Sequence, residues 1–214
     1  MNIPENESLS APKPTLQRLP NYLNYLKQKQ KGGLLSISST MIAEDLRLNH
    51  VQVRKDLALV SDSGRPKTGF IIKDLIEDVE VFLGYKNTKD AILVGAGQLG
   101  KTLLSYGGFS NYGLNILAAF DIDDMLIGTA VSGKQIFSLD KMRDLSNRLK
   151  IKIGIITVPA INAQAVCEFM VECGILAIWN FAPTHLTAPS HIIIQNEDMA
   201  ESFVVLSNRL AEKL

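Results

Sequence analysis

The run Val94-Gly95-Ala96-Gly97-Gln98-Leu99-Gly100 spaces its glycines as G-x-G-x-x-G. That spacing lets a backbone turn tightly, approach a diphosphate and enter a helix whose first amides lack internal partners. The pattern alone is a common turn. Here it follows the apolar run Ala91 to Val94 and opens a helical stretch, the context in which it reads as a dinucleotide site. Gly95 permits the turn, Gly97 the close approach, and Gly100 the packing of helix on strand. Asp121 lies 26 positions beyond Gly95, at the end of a second apolar stretch. A carboxylate there accepts hydrogen bonds from both ribose hydroxyls of NAD and repels the extra phosphate of NADP. The alternative is that Asp121 only caps its own loop, Asp121 to Asp124.

A second group of chemically useful residues lies earlier. Between His50 and Val60, the residues Val53, Leu57 and Val60 fall on one helical face and leave Gln52, Arg54 and Lys55 outward. Gln and Arg can pair with base edges, whereas Lys more often meets phosphate. Arg65 and Lys67 follow in a glycine-bounded segment, Gly64 to Gly69, shaped like a hairpin tip. The zero net charge of the 214 residues conceals an asymmetry. Residues 11–73 carry 11 Lys/Arg against four acids, and residues 74–214 carry 11 against 16. A basic front part joined to a mildly acidic remainder points to a polyanion as partner of the front part only.

Residues for covalent or acid–base chemistry are sparse. Of three histidines, His50 belongs to the basic segment, while His185 and His191 flank a loop. No nucleophile elbow, metal-binding HExxH or close carboxylate pair occurs, and no metal is expected. Cys167 and Cys173 are six apart, which is no CxxC pair, and read as reduced, buried thiols. An NAD-dependent oxidoreductase with an accessory helical domain is the rival reading, and turnover of NADH with ketones or aldehydes separates the two. No apolar run is long enough to span a membrane, and the N-terminus lacks a signal-peptide stretch, so a cytoplasmic location is expected.

The elements that must hold these residues follow from periodicity. A polar tail, 1–14, precedes a helix capped by Thr15, with Leu16, Leu19, Leu23 and Leu26 as its stripe and Pro20 early in it. Gly32-Gly33 stops that helix. Ser38-Ser39-Thr40 caps a second helix, Leu48-Asn49 turns, and the third helix begins at His50. After the basic hairpin, a helix carrying Leu75, Ile76, Val79 and Phe82 closes a winged-helix domain, 15–84. From residue 85 to 196 apolar strands near 91–94, 114–120, 151–158, 174–179 and 192–194 alternate with helices near 98–106, 138–149 and 160–172. That alternation predicts an α/β, Rossmann-type, parallel doubly wound sheet. Residues 197–214 form a last helix with Met199, Phe203, Leu206 and Leu210 on one stripe.

Taken in order, Arg18-Leu19, Gln52-Val-Arg-Lys-Asp-Leu57, Val94 to Gly100, Tyr106-Gly-Gly-Phe109, Ala118-Ala-Phe-Asp121, Val158-Pro159 and Asn180-Phe-Ala-Pro183 resemble the Rex family of redox-sensing transcriptional repressors. The resemblance covers residues 14–210. It implies a homodimer with the C-terminal helix swapped between subunits, double-stranded operator DNA as partner, and NAD⁺/NADH as ligands, with release from DNA when NADH binds. It places Gly95, Ala96, Gly97, Gln98, Leu99, Gly100, Tyr106, Asp121, Val158, Pro159, Phe181, Ala182, Asp198 and Met199 at the cofactor. It places Arg18, Ser38, Ser39, Gln52, Arg54, Lys55, Arg65 and Lys67 at DNA. The chain departs from the pattern in its wing, where many members carry aromatics, and at Met199, where some members have an aromatic residue.

Overall fold

A computed structural model of the chain describes residues 11–65, 68–85 and 89–212, the side chains of Met199, Glu201 and Ser202 excepted. It divides into two compact units, Met1–Asn87 and Thr88–Leu214.

The first unit runs α1 (Lys13–Lys31), β1 (Ser36–Ile37), α2 (Ser39–Asp45), α3 (His50–Ala58), β2 (Phe70–Ile71) and α4 (Ile72–Phe82). Helix α1 starts two residues before the expected cap, so Thr15 is a buried member of the helix and not its cap. The earlier start also puts Pro20 in the interior. A proline there removes a ladder hydrogen bond and costs about 3 kcal/mol. Leu19, Tyr22, Leu23 and Leu26 are each at most 2% exposed, and burial at about 1.5–3 kcal/mol per side chain outweighs that cost. Gly32 and Gly33 end α1 as expected. Strands β1 and β2 pair antiparallel, and Arg65 and Gly69 exchange backbone hydrogen bonds at 2.9 Å, which makes the winged hairpin. The core joins α1 residues to Ile42, Val53, Leu57, Leu75 and Val79.

The second unit is a seven-stranded sheet covered on both faces. Strands β3 (Lys89–Val94), β4 (Leu114–Asp121), β5 (Ala130–Val131), β6 (Lys134–Ser138), β7 (Ile153–Ile156), β8 (Ala177–Asn180) and β9 (Ile193–Asn196) are ordered β5-β6-β4-β3-β7-β8-β9. All pairs are parallel except β5 with β6. Helices α5 (Gln98–Ser105), α6 (Met142–Arg148), α7 (Ala160–Glu172) and α8 (Met199–Ala211) follow β3, β6, β7 and β9. Strand β3 explains its own apolar run: Ile92 and Val94 enter one core cluster, Ala91 and Leu93 the other. The chain leaves β3 towards β4 and β6, then returns to β7 on its other side. The gap between β3 and β7 is therefore the topological switch point, where ligands of such sheets bind.

The structure adds what periodicity did not predict. Strands β5 and β6 are a hairpin that extends the sheet, too short and polar to stand out in the sequence. A 3₁₀ turn, Gly107–Tyr112, fills the connection to β4, and the expected helix from 138 begins as another, Leu139–Lys141. The strands expected from Ile151 and Gly174 begin at Ile153 and Ala177.

Candidate cofactor and nucleic-acid sites

The glycine turn sits at the switch point. Its geometry is set by close backbone approach. A side chain at Gly100 would put Cβ 2.0 Å from the Gly95 carbonyl oxygen, so helix α5 can begin under the turn only with glycine there. Gly95 is left-handed at φ 100° and lies against the Thr157–Val158 backbone. At Gly97, by contrast, a Cβ would meet nothing within 4 Å, and Gly97 lines the adjoining cleft. The first amides of α5, lacking partners within the helix, and its positive dipole end face the same region. These residues fit a diphosphate-containing dinucleotide.

Asp121 does more than either reading of the sequence proposes. Its Oδ2 accepts from the Ala96 backbone amide at 2.6 Å, while Oδ1 accepts from the amides of Ile122 and Asp123 at 2.7 and 3.0 Å. The carboxylate thus caps its own loop and ties the end of β4 to the glycine turn. It also lines a cleft of about 530 Å³, whose walls include Gly95, Gly97, Val158 and Pro159, with Leu139, Val166 and Phe169 as an apolar side. Oδ1 already accepts two hydrogen bonds, so the lone-pair capacity left on the carboxylate is at Oδ2.

Thr157 was not singled out by the sequence. Its hydroxyl donates to the Gly95 carbonyl at 2.6 Å, with the Val94 carbonyl at 3.1 Å, bracing the turn from β7. The signal available was a hydroxyl directly after an apolar strand. The sequence gives Asn180 no role either. Fully buried, it accepts from the Ala182 amide at 3.0 Å and donates to Thr184 O at 2.8 Å and Asn196 Oδ1 at 2.9 Å, which shapes the Asn180–Pro183 turn.

The remaining expected cofactor residues fall into three places. Gln98 and Leu99 form the first turn of α5. Tyr106 and Phe181 lie outside the cleft, at the ends of an aromatic row. Tyr106 meets Phe109 edge-on at 4.9 Å, Phe109 meets Trp179 at 5.7 Å, and Trp179 meets Phe181 at 4.7 Å. Phe109, Trp179 and Phe181 pack on the cluster holding Ala91 and Leu93, whereas Phe169 and Val158 pack on the other. The two sets therefore lie on opposite faces of the sheet. Ala182 is buried in the other cluster, with Val166 and Phe169. Asp198 is the N-cap of α8, accepting from the Ala200 amide at 2.8 Å. The side chain of Met199 lies outside the described residues.

In the first unit, α2 and α3 form a helix-turn-helix. Ser38 caps α2 by accepting from the Met41 amide, and Asn49 caps α3 by accepting from Val51 and Gln52. The turn between them passes through Arg47 at φ 55°. Arg54, Lys55, Ser38 and Arg65 are exposed and Ser39 half-buried, while Lys67 lies outside the described residues. Two expected DNA contacts have another partner. Arg18 is not free: its Nε and Nη2 donate to the two oxygens of Asp56 at 2.7 and 2.9 Å. Gln52 Nε2 donates to Asp56 Oδ1 at 3.0 Å. Thr15 and Tyr22 complete the set, each at 2.9 Å. Asp56, 1% exposed and given no role by the sequence, is thus the hub that fixes α3 on α1. Burial works to raise its carboxyl, but the bonds from Arg18, Tyr22, Gln52 and Thr15 hold it below the ordinary range. Burial and the same carboxylate push the Tyr22 phenol up to about 12.

Among the described residues, no group of three His, Cys, Asp or Glu could hold a metal ion. Cys167 and Cys173 are free and buried, and burial raises both thiols. Of the described residues, no helix is long and apolar enough to cross a membrane.

A winged helix with a basic recognition face, joined in one chain to a dinucleotide turn at a sheet's switch point, defines a class: DNA-binding proteins with a Rossmann-type nucleotide-binding domain. Family models agree with both halves, "Putative DNA-binding protein N-terminus" over residues 10–58 and "CoA binding domain" over 86–184. The redox-sensing transcriptional repressor Rex of Treponema denticola is 41% identical over 90% of this chain and 92% of its own length. Rex of Bacteroides fragilis is 39% identical over 97% and 94%. Among solved structures, the Rex-family repressor RSP in complex with β-NAD⁺ and operator DNA superposes with TM-score 0.89 at 32% identity, covering 95% of this chain and 94% of that one. RSP in complex with β-NADH superposes at 0.86, with 31% identity over 95% and 96%. The chain belongs to the Rex family of redox-sensing transcriptional repressors.

Proposed function

We propose that this chain, as a homodimer, represses transcription by holding operator DNA and lets go when NADH binds, so that it reports the NADH/NAD⁺ ratio in the cytoplasm. The observation that carries this reading is the pairing, in one Rex-family chain, of a glycine turn open at Gly97 with a winged helix whose Arg54 and Lys55 are unobstructed. Residues 15–84 serve as the DNA-binding domain, 85–196 as the cofactor domain and 197–214 as the dimerisation arm.

Each site residue has a task. Gly95 to Gly100 receive the diphosphate, Asp121 the adenosine ribose, and Val158 and Pro159 line the same cleft. Tyr106 and Phe181 stand on the other face of the sheet, towards the nicotinamide, and Ala182 packs beneath the turn on the side of Val166 and Phe169. Gln52, Arg54 and Lys55 face the major groove, while Arg65 and Lys67 reach along the adjacent groove and Ser38 and Ser39 approach the backbone. Arg18 acts through Asp56.

Support for the dimer comes from α8. Phe203, Val204, Leu206 and Leu210 are 57–68% exposed, an apolar surface left largely uncovered among the described residues. A second copy covers it if each α8 lies on the partner. Asp198 then comes to the partner's Tyr106, and the helix that senses the ring also joins the subunits. NAD⁺ and NADH differ only at the nicotinamide, and a ligand shifts an equilibrium only through differential affinity. A charged ring favours a polar neighbour such as Asp198, whereas a neutral ring is buried against apolar surface.

The test is an operator gel shift titrated with each cofactor, for wild type, Tyr106→Phe and Asp198→Ala. NADH should release wild type and NAD⁺ should not. Mutants released as wild type is would sink the sensing mechanism, and NADH turnover with a carbonyl substrate would sink the repressor reading.

A further inference from the structure

The Gln52–Asp56 contact fixes what the recognition helix can read. This inference rests on the operator-binding role of α3 and adds the identity of one base and a residue that positions its reader. Gln52 is the third residue of α3, in the part of a recognition helix that meets base edges. A free glutamine can present its amide either way round, carbonyl or NH₂ outward. Here the choice is made by chemistry. The Asp56 carboxylate only accepts hydrogen bonds, so the side of Gln52 facing it must be Nε2, at 3.0 Å.

Asp56 is itself immobile. Its Oδ1 also accepts from Thr15 at 2.9 Å and Arg18 Nη2 at 2.9 Å, and its Oδ2 from Arg18 Nε at 2.7 Å and Tyr22 at 2.9 Å. All three donor residues lie on α1, so the carboxylate cannot follow Gln52 if the amide turns. Arg18 neutralises the carboxylate, which therefore remains an ionised acceptor beside the DNA-facing surface. One amide hydrogen of Gln52 goes to Asp56. The carbonyl oxygen and the hydrogen beside it remain for the groove.

We infer that Gln52 reads an adenine, accepting from its N6 amino group and donating to its N7, and that Asp56 is the positioning residue that enforces this edge. Adenine offers that donor–acceptor pair in the major groove; guanine offers acceptors at both N7 and O6 and leaves the Gln52 carbonyl facing an oxygen. A glutamine free to turn could give its NH₂ to guanine. Preference for adenine over guanine at the pair Gln52 touches is thus a direct readout of the fixed amide.

The experiment measures binding of the full-length protein to an operator in which every base pair of one half-site is substituted in turn. Wild type, Gln52→Ala, Asp56→Asn and the double variant are compared, with thermal unfolding of each followed alongside. Asparagine at 56 brings a donor that lets the Gln52 amide reverse. Wild type should prefer adenine over guanine at one pair by about fivefold or more. Gln52→Ala should remove that preference at that pair only. Asp56→Asn should flatten it at the same pair, and the double variant should lose no more preference than Gln52→Ala alone. A Gln52→Ala profile that matches wild type, or that falls evenly at all positions, overturns Gln52 as a reader. A Gln52-dependent pair at which wild type accepts guanine as well as adenine overturns the role of Asp56, whether or not Asp56→Asn folds. Absence of any sequence preference in wild type overturns the operator-binding reading itself, and this inference with it.

Discussion

The carboxylate of Asp121 lies 2.6 Å from the backbone amide of Ala96 and so binds the end of one strand to the glycine turn after another. The contact spans 25 residues of sequence and connects the two sides of the dinucleotide cleft. A charge-assisted bond of this kind is worth about 1.5–3 kcal/mol. In the proposed site the carboxylate also accepts from the ribose hydroxyls, and loss of one such bond in Asp121→Ala should weaken NADH binding by about ten- to a hundred-fold while leaving operator binding without cofactor near wild type. Quenching of protein fluorescence on NADH titration checks the first part, and a gel shift the second. Unchanged NADH affinity would remove Asp121 from the site.

Two glycines of the same turn should behave in opposite ways. Gly100→Ala drives a methyl group into the Gly95 carbonyl and should lower stability by about 1–3 kcal/mol or more. Gly97→Ala meets no protein atom within 4 Å, so its melting temperature without cofactor should stay close to wild type while NADH binding is lost. Paired thermal melts, with and without NADH, distinguish the two. A Gly97→Ala protein stabilised by NADH as wild type is would show that the diphosphate lies elsewhere.

On the recognition helix, Arg54→Ala should cost about 1–3 kcal/mol of operator affinity and relax choice at one base pair. Lys55→Ala should weaken all sequences alike and reduce the slope of log K against log salt by about one. Equal salt slopes for wild type and Lys55→Ala would take Lys55 off the phosphate backbone.

The exposed apolar surface of α8 predicts the outcome of a truncation. A chain ending at Glu197 should sediment as a monomer and lose both operator binding and the response to NADH. If the shortened chain remains a dimer, the subunits are joined by another surface.

Stability of the first unit should depend on acid through Asp56. In the folded chain its carboxyl is held below the ordinary value, whereas unfolding returns it to about 4. The unfolded state then binds the proton first as pH falls. The stabilisation by Asp56 is complete above about pH 4–5 and is lost as pH drops through the folded value. Asp56→Asn should be less stable than wild type at neutral pH, and the gap should narrow in acid. Denaturant unfolding at pH 7 and pH 3 measures it; a gap of constant size would mean that the charge of Asp56 contributes nothing.

Local pattern carried much of this molecule. The spacing of Leu19, Leu23 and Leu26, the cap at Ser38 and the doubly buried run Ala91 to Val94 are properties of a few neighbouring residues, and each produces its element wherever the rest of the chain lies. The glycine turn is legible for the same reason, since a strand and a helix beside it supply its whole context. What the spacing could not supply were partners that meet only on folding. Arg18 reads as a free basic residue until α1 packs on α3 and Asp56, 38 positions on, takes both its donors. Asp121 reads as a ribose acceptor or as a loop cap until β3 and β4 pair and place Ala96 against it. Thr157 is an ordinary strand-end hydroxyl until β7 aligns beside β3. The short hairpin of β5 and β6 is held by the edge it extends more than by its own residues. Periodicity is a property of one segment, whereas the orientation of a buried polar group is decided by whichever segment can satisfy it, and only the assembled sheet and helices bring that segment into reach.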